Sequence, residues 1–151
     1  MQSIFIDAWA WIAMADASDQ WHLVAAVEGE RLRRGGVRFV TTNLALYEAY
    51  TNLARWASAE LAMSLRDEVR RGRAAPGGLV VAYVDDELEE AAWTIFGAYR
   101  GRGFSFEDCV AFALMRREGI ATAFTGDDHF RQMGFVTVPA AAHPEQRGAG
   151  T

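Results

Sequence analysis

Ala121-Thr-Ala-Phe-Thr-Gly-Asp-Asp-His-Phe130 reads as a short strand that stops and gives way, within three residues, to two acids and a turn or short helix. Ala121–Phe124 is read as a short strand. Gly126 and the adjacent acids cannot continue a buried strand, and Asp127 or Asp128 is suited to cap the short turn or helix at His129–Met133. On the N-terminal side, Ser105 opens a helix reaching about Glu118; on the C-terminal side, Phe135–Val138 is a further strand candidate. One helix is thus followed by a strand, a tight acidic turn and another strand.

The same alternation extends to the N-terminus. Ser3–Ile6 is an apolar strand ending at Asp7, and Trp9–Ala15 is a brief helical or turn segment. Asp19 reads as the cap of a helix over Gln20–Arg34, with Leu23, Val24, Val27 and Leu32 as its apolar stripe and Gly35-Gly36 as its stop. Val37–Thr41 is a second strand. Thr42 or Asn43 caps a helix to about Trp56, and Ser58 caps the next, which runs into an arginine-rich end before Ala75-Pro-Gly-Gly78. Leu79–Val84 has strong β propensity, and Asp85 starts another helix. Asp86, Glu87, Glu89 and Glu90 in its first turns complement the helix dipole and form a solvated start rather than a site. Helices long enough for crossovers between strands imply an α/β fold with a central, mainly parallel sheet flanked by helices. A single domain is expected over residues 1–139, and the Pro-, Gly- and Ala-rich residues 140–151 are expected to be a flexible tail.

Composition narrows the function. A chain of 151 residues that is 51% hydrophobic, with nine Phe and five Trp, suits one folded core and argues against disorder. No apolar stretch approaches the ~20 residues of a membrane span, and the N-terminus lacks the basic region of a signal peptide, so a cytoplasmic protein is expected. The single cysteine, Cys109, can form no internal disulfide. A net charge of −5 argues against nucleic-acid binding by bulk electrostatics alone. All 15 basic residues are arginines, however, and they cluster at 31–38, 66–73 and 100–102, either as solvated helix ends or as local phosphate contacts.

Four acids are the candidate machinery. In open α/β sheets the functional crevice lies beyond the carboxyl ends of the strands. Asp7 and Asp127 fall there directly. Glu48, inside the helix after the second strand, and Asp108, in the first turn of the Ser105 helix, can reach the same crevice. Each has a plainer use: Asp7 or Asp127 can cap a turn, Asp108 can close a capping box with Ser105, and Glu48 can be an exposed helix residue. If the four converge, their repulsion amounts to several kcal/mol at an effective dielectric near 20, and the cluster requires protons or a cation. A few hard oxygen donors with room for water and phosphate suit Mg²⁺ or Mn²⁺. A cation so held would let an acidic protein act on a polyanion.

Phe5-Ile-Asp7, Thr41-Thr-Asn-Leu-Ala-Leu-Tyr-Glu48, Ser105-Phe-Glu-Asp108 with Ala111 and Met115, and Thr125-Gly-Asp-Asp-His-Phe130 resemble, in this order, the PIN-domain family, its VapC-type toxin ribonucleases in particular. Ser18-Asp-Gln-Trp-His22 with Ala25 is similar to the family's first long helix, so the resemblance spans about Phe5 to Val138. It implies a PIN-like three-layer sandwich and a metal-dependent endoribonuclease that hydrolyses RNA phosphodiester bonds by metal-activated water. Carried over by motif position, Asp7, Glu48, Asp108 and Asp127 form the catalytic and metal-holding set. Asp7, Asp108 and Asp127 hold Mg²⁺ or Mn²⁺ directly or through water, and Glu48 orients or helps deprotonate the attacking water. Thr125 hydrogen-bonds a water or an acid, Asn43 fixes the start of the Glu48 helix, and His129 is read as structural. Asp127 fits the spacing better than Asp128. The resemblance further implies an RNA substrate (tRNA or another structured RNA), a small antitoxin partner and a homodimer, to which the five Trp are suited if they do not all pack in the core.

The main rival is a non-catalytic PIN-like module that binds RNA or protein, against which stand acids at all four motif positions. An aspartyl phosphohydrolase usually wants a second Asp where this chain has Trp9, and a nucleotide-binding domain lacks its Gly-rich loop after any strand.

Overall fold

The computed structural model describes residues 1–144. In it the alternation becomes β1 (Ser3–Ile6), α1 (Ala8–Ala15), α2 (His22–Arg34), β2 (Arg38–Thr42), α3 (Asn43–Trp56), α4 (Ala59–Ala74), β3 (Val80–Ala82), α5 (Asp86–Ala98), α6 (Phe106–Glu118), β4 (Thr122–Phe124), α7 (Asp128–Gln132) and β5 (Val136–Val138). The five strands form one sheet in the order β3-β2-β1-β4-β5, and every pairing among them is parallel. The expected α/β class therefore stands, with a sheet more uniformly parallel than the sequence required.

Strand side chains alternate between two cores because the pleat turns successive residues to opposite faces. Along β1, Ile4 and Ile6 join a core with α1 and α4, while Phe5 joins one with α5 and α6 on the other face. Helix α6 is buried along most of its length, from Cys109 to Met115, and forms the center of the second core. Helices on both faces complete the three layers.

Several caps fall where the chemistry of the residues put them. The side chains of Thr42, Ser58 and Asp85 accept from the backbone N–H groups of Ala45, Leu61 and Leu88, each satisfying a first-turn donor with no partner inside its helix.

Other expectations need correction. Asp19 accepts from the N–H of Trp21 and closes a turn, so α2 begins only at His22. The stripe expected on α2 coincides with its buried face only at Leu32. Leu23 and Val27 are 77% and 70% exposed, and Ala25, Glu28 and Leu32 face inward. Small residues let α2 approach α1 closely: a Cβ on Gly29 would meet the Met14 sulfur at 2.8 Å. The strand expected over Leu79–Val84 is reduced to Val80–Ala82. Within residues 140–151, expected as a tail, Ala140–Ala142 form a 3-10 turn and His143 is 1% exposed; residues 145–151 lie outside the described residues.

Candidate active site

The chain order creates the crevice. From β1 the chain builds outward to β2 and β3, and later returns to the opposite side of β1 for β4 and β5. Connections leaving β1 and β4 thus diverge at the carboxyl end of the sheet, the switch point at which open α/β sheets hold their ligands. Asp7 directly follows β1, and Thr125-Gly-Asp127 directly follows β4.

A short relay ties these two ends together. The Asp7 N–H donates to the Phe124 carbonyl at 3.1 Å, and the Thr125 hydroxyl donates to Asp7 Oδ2 at 2.8 Å. The same hydroxyl accepts from the Asp127 N–H at 3.0 Å, and Asp127 Oδ1 accepts from the His129 N–H at 2.9 Å. Gly126 is required between them, because a Cβ there would fall 2.3 Å from the Trp9 indole. Asp127 caps α7 as the plainer reading allowed, and it faces the cluster as the functional reading required; the two uses are compatible.

Helix α6 supplies Asp108 through a complete capping box. Its N–H donates to the Ser105 hydroxyl and its Oδ2 accepts from the Ser105 N–H, both at 3.0 Å. His129 Nδ1 lies 2.7 Å from the same Oδ2 and 3.6 Å from Asp127 Oδ1. Asp108 Oδ1 takes no hydrogen bond from the described residues. Glu48, on the exposed side of α3, lines the same pocket of about 500 Å³ as Asp7, Asp108 and Asp127.

The charges strain one another. Burial, only partly offset by the bonds from Thr125 and the Ala8 backbone, pushes Asp7 up to about 7, and Glu48 and Asp127 add to the rise. Glu48 is raised by burial and then by Glu107, Asp108 and Asp127. Asp127 is raised by burial and by Asp108. For His129 burial works downward, but the bond to Asp108 and the charges of Asp127 and Asp108 overcome it, and the net direction is upward. None of the described residues lining the pocket is an arginine, and the chain has no lysine. Carboxylate oxygens that face one another with one imidazole nearby, and no fixed cation among them, form a donor set that fits a hard divalent ion. Ligand atoms of Asp108, Asp127 and His129 come within 4.8 Å of one another, close enough for one ion.

The structure thus brings all four sequence-derived acids to one pocket. Asp128 is excluded from it: it pairs with His143 and Arg131 instead. Asn43 does not cap α3. It accepts from the Val84 N–H at 2.9 Å and ties the start of α3 to the segment after β3, while Thr42 makes the cap. His129 packs edge-on against Phe104, as a structural residue would, but its Nδ1 belongs to the acidic cluster. Glu107, Trp9 and Asn52 also line the pocket and were missed. Glu107 stands beside Asp108 in the sequence, yet a helix first turn favours acids anyway, so its position carried no separate signal. A larger groove of about 690 Å³ lies elsewhere, lined by residues such as Trp11, Met14, Phe39 and Leu65, and holds none of the four acids.

Comparison with known proteins places the fold. Residues 4–136 match the family model for the PIN domain. The chain is 35% identical over 141 residues to a 23S rRNA-specific endonuclease, VapC20, of Mycobacterium tuberculosis, covering 89% of this chain and 97% of the relative. The crystal structure of that Mycobacterium tuberculosis protein, described as a sarcin–ricin loop cleaving toxin, superposes with a TM-score of 0.75 at 31% identity, over 89% of this chain and 98% of the other. The VapBC2 complex of Rickettsia felis, bound to a promoter DNA fragment, superposes with a TM-score of 0.67 over 91% and 98% of the chains; at 10% identity it shows the shared fold alone.

Proposed function

This chain belongs to the PIN-domain family, and from that premise we propose that it is a metal-dependent endoribonuclease, the toxin of a toxin–antitoxin pair. The single observation that carries the reading is the convergence of Asp7, Glu48, Asp108 and Asp127 on one pocket at the switch point of the sheet. Mg²⁺ or Mn²⁺ would be held by Asp7, Asp108 and Asp127. Bound there, the ion supplies positive charge for the scissile phosphate and lowers the pKa of water. The protein's own groups do the rest. The Thr125 hydroxyl orients Asp7, the Ser105 box and His129 orient Asp108, and Glu48, whose carboxylate takes no hydrogen bond from the described residues, is free to orient the attacking water and accept its proton.

The substrate is proposed as structured RNA. Similarity to a 23S rRNA-specific relative favours a ribosomal RNA loop over tRNA. A small antitoxin of the VapB kind, a homodimeric state and a cytoplasmic location complete the reading; among the described residues no helix is long and apolar enough to cross a membrane.

The test is cleavage of ribosomal RNA and of tRNA, each with Mg²⁺, Mn²⁺ or EDTA, by wild type, Asp7→Asn and Asp108→Asn. Ribosomal RNA is expected to be cut with metal, not with EDTA, and not by either folded variant. Folded, antitoxin-free wild type that cuts neither RNA would turn the reading to a non-catalytic binding module. Cutting that survives both substitutions would show that other residues carry the chemistry.

A further inference from the structure

His143 lies in the stretch whose composition reads as tail, yet it is among the most buried polar residues of the fold, at 1% exposure. Both ring nitrogens are engaged. Nε2 donates to the Thr125 carbonyl at 2.7 Å, and Nδ1 meets Asp128 Oδ1 at 2.8 Å. A buried imidazole is costly unless its nitrogens find partners, so these bonds tie the C-terminal segment to a specific place.

That place is the loop between β4 and α7. Thr125 and Asp128 bracket Gly126-Asp127, so His143 grips the loop on both sides of Asp127. With this bond Thr125 is held at three points: its N–H donates to Val138 at 2.9 Å, its carbonyl accepts from His143, and its hydroxyl links Asp7 to Asp127. Between the two grips, Gly126 packs against the Trp9 indole, and α7, which follows, is only five residues long. Partners behind metal-holding carboxylates set their direction and hence their affinity.

We infer that His143 is a positioning residue of the acidic site, clamping the Thr125–Asp128 loop so that Asp127 and the Thr125 hydroxyl face Asp7. The inference rests on the reading of Asp7 and Asp127 as metal-holding acids. It makes His143, which lies past the last strand, part of the machinery.

The experiment measures Mn²⁺ affinity of the full chain without RNA, by titration calorimetry or electron paramagnetic resonance, with thermal melts alongside. Four variants are compared with wild type. His143→Ala removes ring and bonds, His143→Phe keeps ring volume but loses both bonds, and His143→Gln keeps a donor for the Thr125 carbonyl. Leu65→Ala weakens the distant core. Ala and Phe are expected to lose about tenfold or more in Mn²⁺ affinity, the range for groups that orient metal ligands. Gln, which keeps one of the two bonds, is expected to fall between wild type and Ala, and Leu65→Ala to stay near wild type. A Phe variant that binds Mn²⁺ like wild type, a Gln variant as weak as Ala, or an equal loss in Leu65→Ala each overturns the clamp. Wild type that is folded and binds no Mn²⁺ overturns the site reading, and the inference with it.

Discussion

Asp7 sets the fold against the proposed function in one carboxyl group. It stands at the end of the central strand, where burial and two neighbouring acids oppose its ionisation, and its pKa rises from 3.8 to about 7. Between those values the metal-free folded state holds more protons than the unfolded state, so stability falls as pH rises from about 4 to 7 and stays low above that. A shift of this size corresponds to on the order of 4 kcal/mol at most. Asp7→Asn, which keeps an oxygen acceptor for Thr125 and carries no charge, is therefore expected to be more stable than wild type at pH 8 in EDTA. The gap should close toward pH 4. Urea melts at both pH values decide it, and parallel pH profiles for the two proteins would contradict the assigned burial penalty. Mn²⁺ added at pH 8 should raise wild-type stability and leave Asp7→Asn nearly unchanged, because the ion replaces the proton as the partner of that charge.

At the scale of elements, α6 shows how one helix start serves two ends. Its capping box joins Ser105 and Asp108, and Asp108 is also one of the proposed metal-holding acids lining the pocket. The uses can be separated. Ser105→Ala removes the acceptor for the Asp108 N–H and is expected to cost about 1 kcal/mol of stability, the usual worth of such a cap. The Ser105 backbone N–H and His129 still orient the Asp108 carboxylate, so RNA cleavage should persist. Asp108→Asn is expected to do the reverse, keeping the fold and losing cleavage. Thermal unfolding and a cleavage assay on both variants check the pair of outcomes; loss of cleavage in Ser105→Ala with full metal binding would show that the Ser105 hydroxyl itself takes part in the chemistry. Helix α2 carries a different lesson. Its Arg31, Arg33 and Arg34 pair with Glu28 and Glu30 one turn away, so this arginine cluster is largely committed to the helix surface.

For the whole molecule, the exposed aromatic residues bear on assembly. Of the five Trp, Trp11 is buried and bonds the Thr41 hydroxyl at 3.1 Å, whereas Trp56 and Trp93 are 77% and 49% exposed. Trp93 meets Phe96 edge-on and Phe106 at a tilt, and the three rings form an aromatic cluster on α5 and α6. Large exposed aromatics are enriched at interfaces, which supports the proposed homodimer. Sedimentation at micromolar concentration is expected to give twice the 16.7 kDa chain mass; a strict monomer would remove the dimer from the proposal.

Local rules made much of this protein legible in its sequence. Apolar runs bounded by Gly and Asp located the strands, and Thr42, Ser58, Asp85 and Ser105 announced the helices, because a cap needs only residues three positions apart. The four acids could be picked out by their places after strands and inside motifs. Their convergence could not, since it depends on β4 returning to the far side of β1, a pairing between residues more than a hundred positions apart. Tertiary structure also decided the face of α2, where close packing against α1 overrode the apolar count, and the membership of His129 in the acidic cluster. It decided the fate of His143 too: composition marks that stretch as tail, and only the folded loop offers the two acceptors that hold the ring in place.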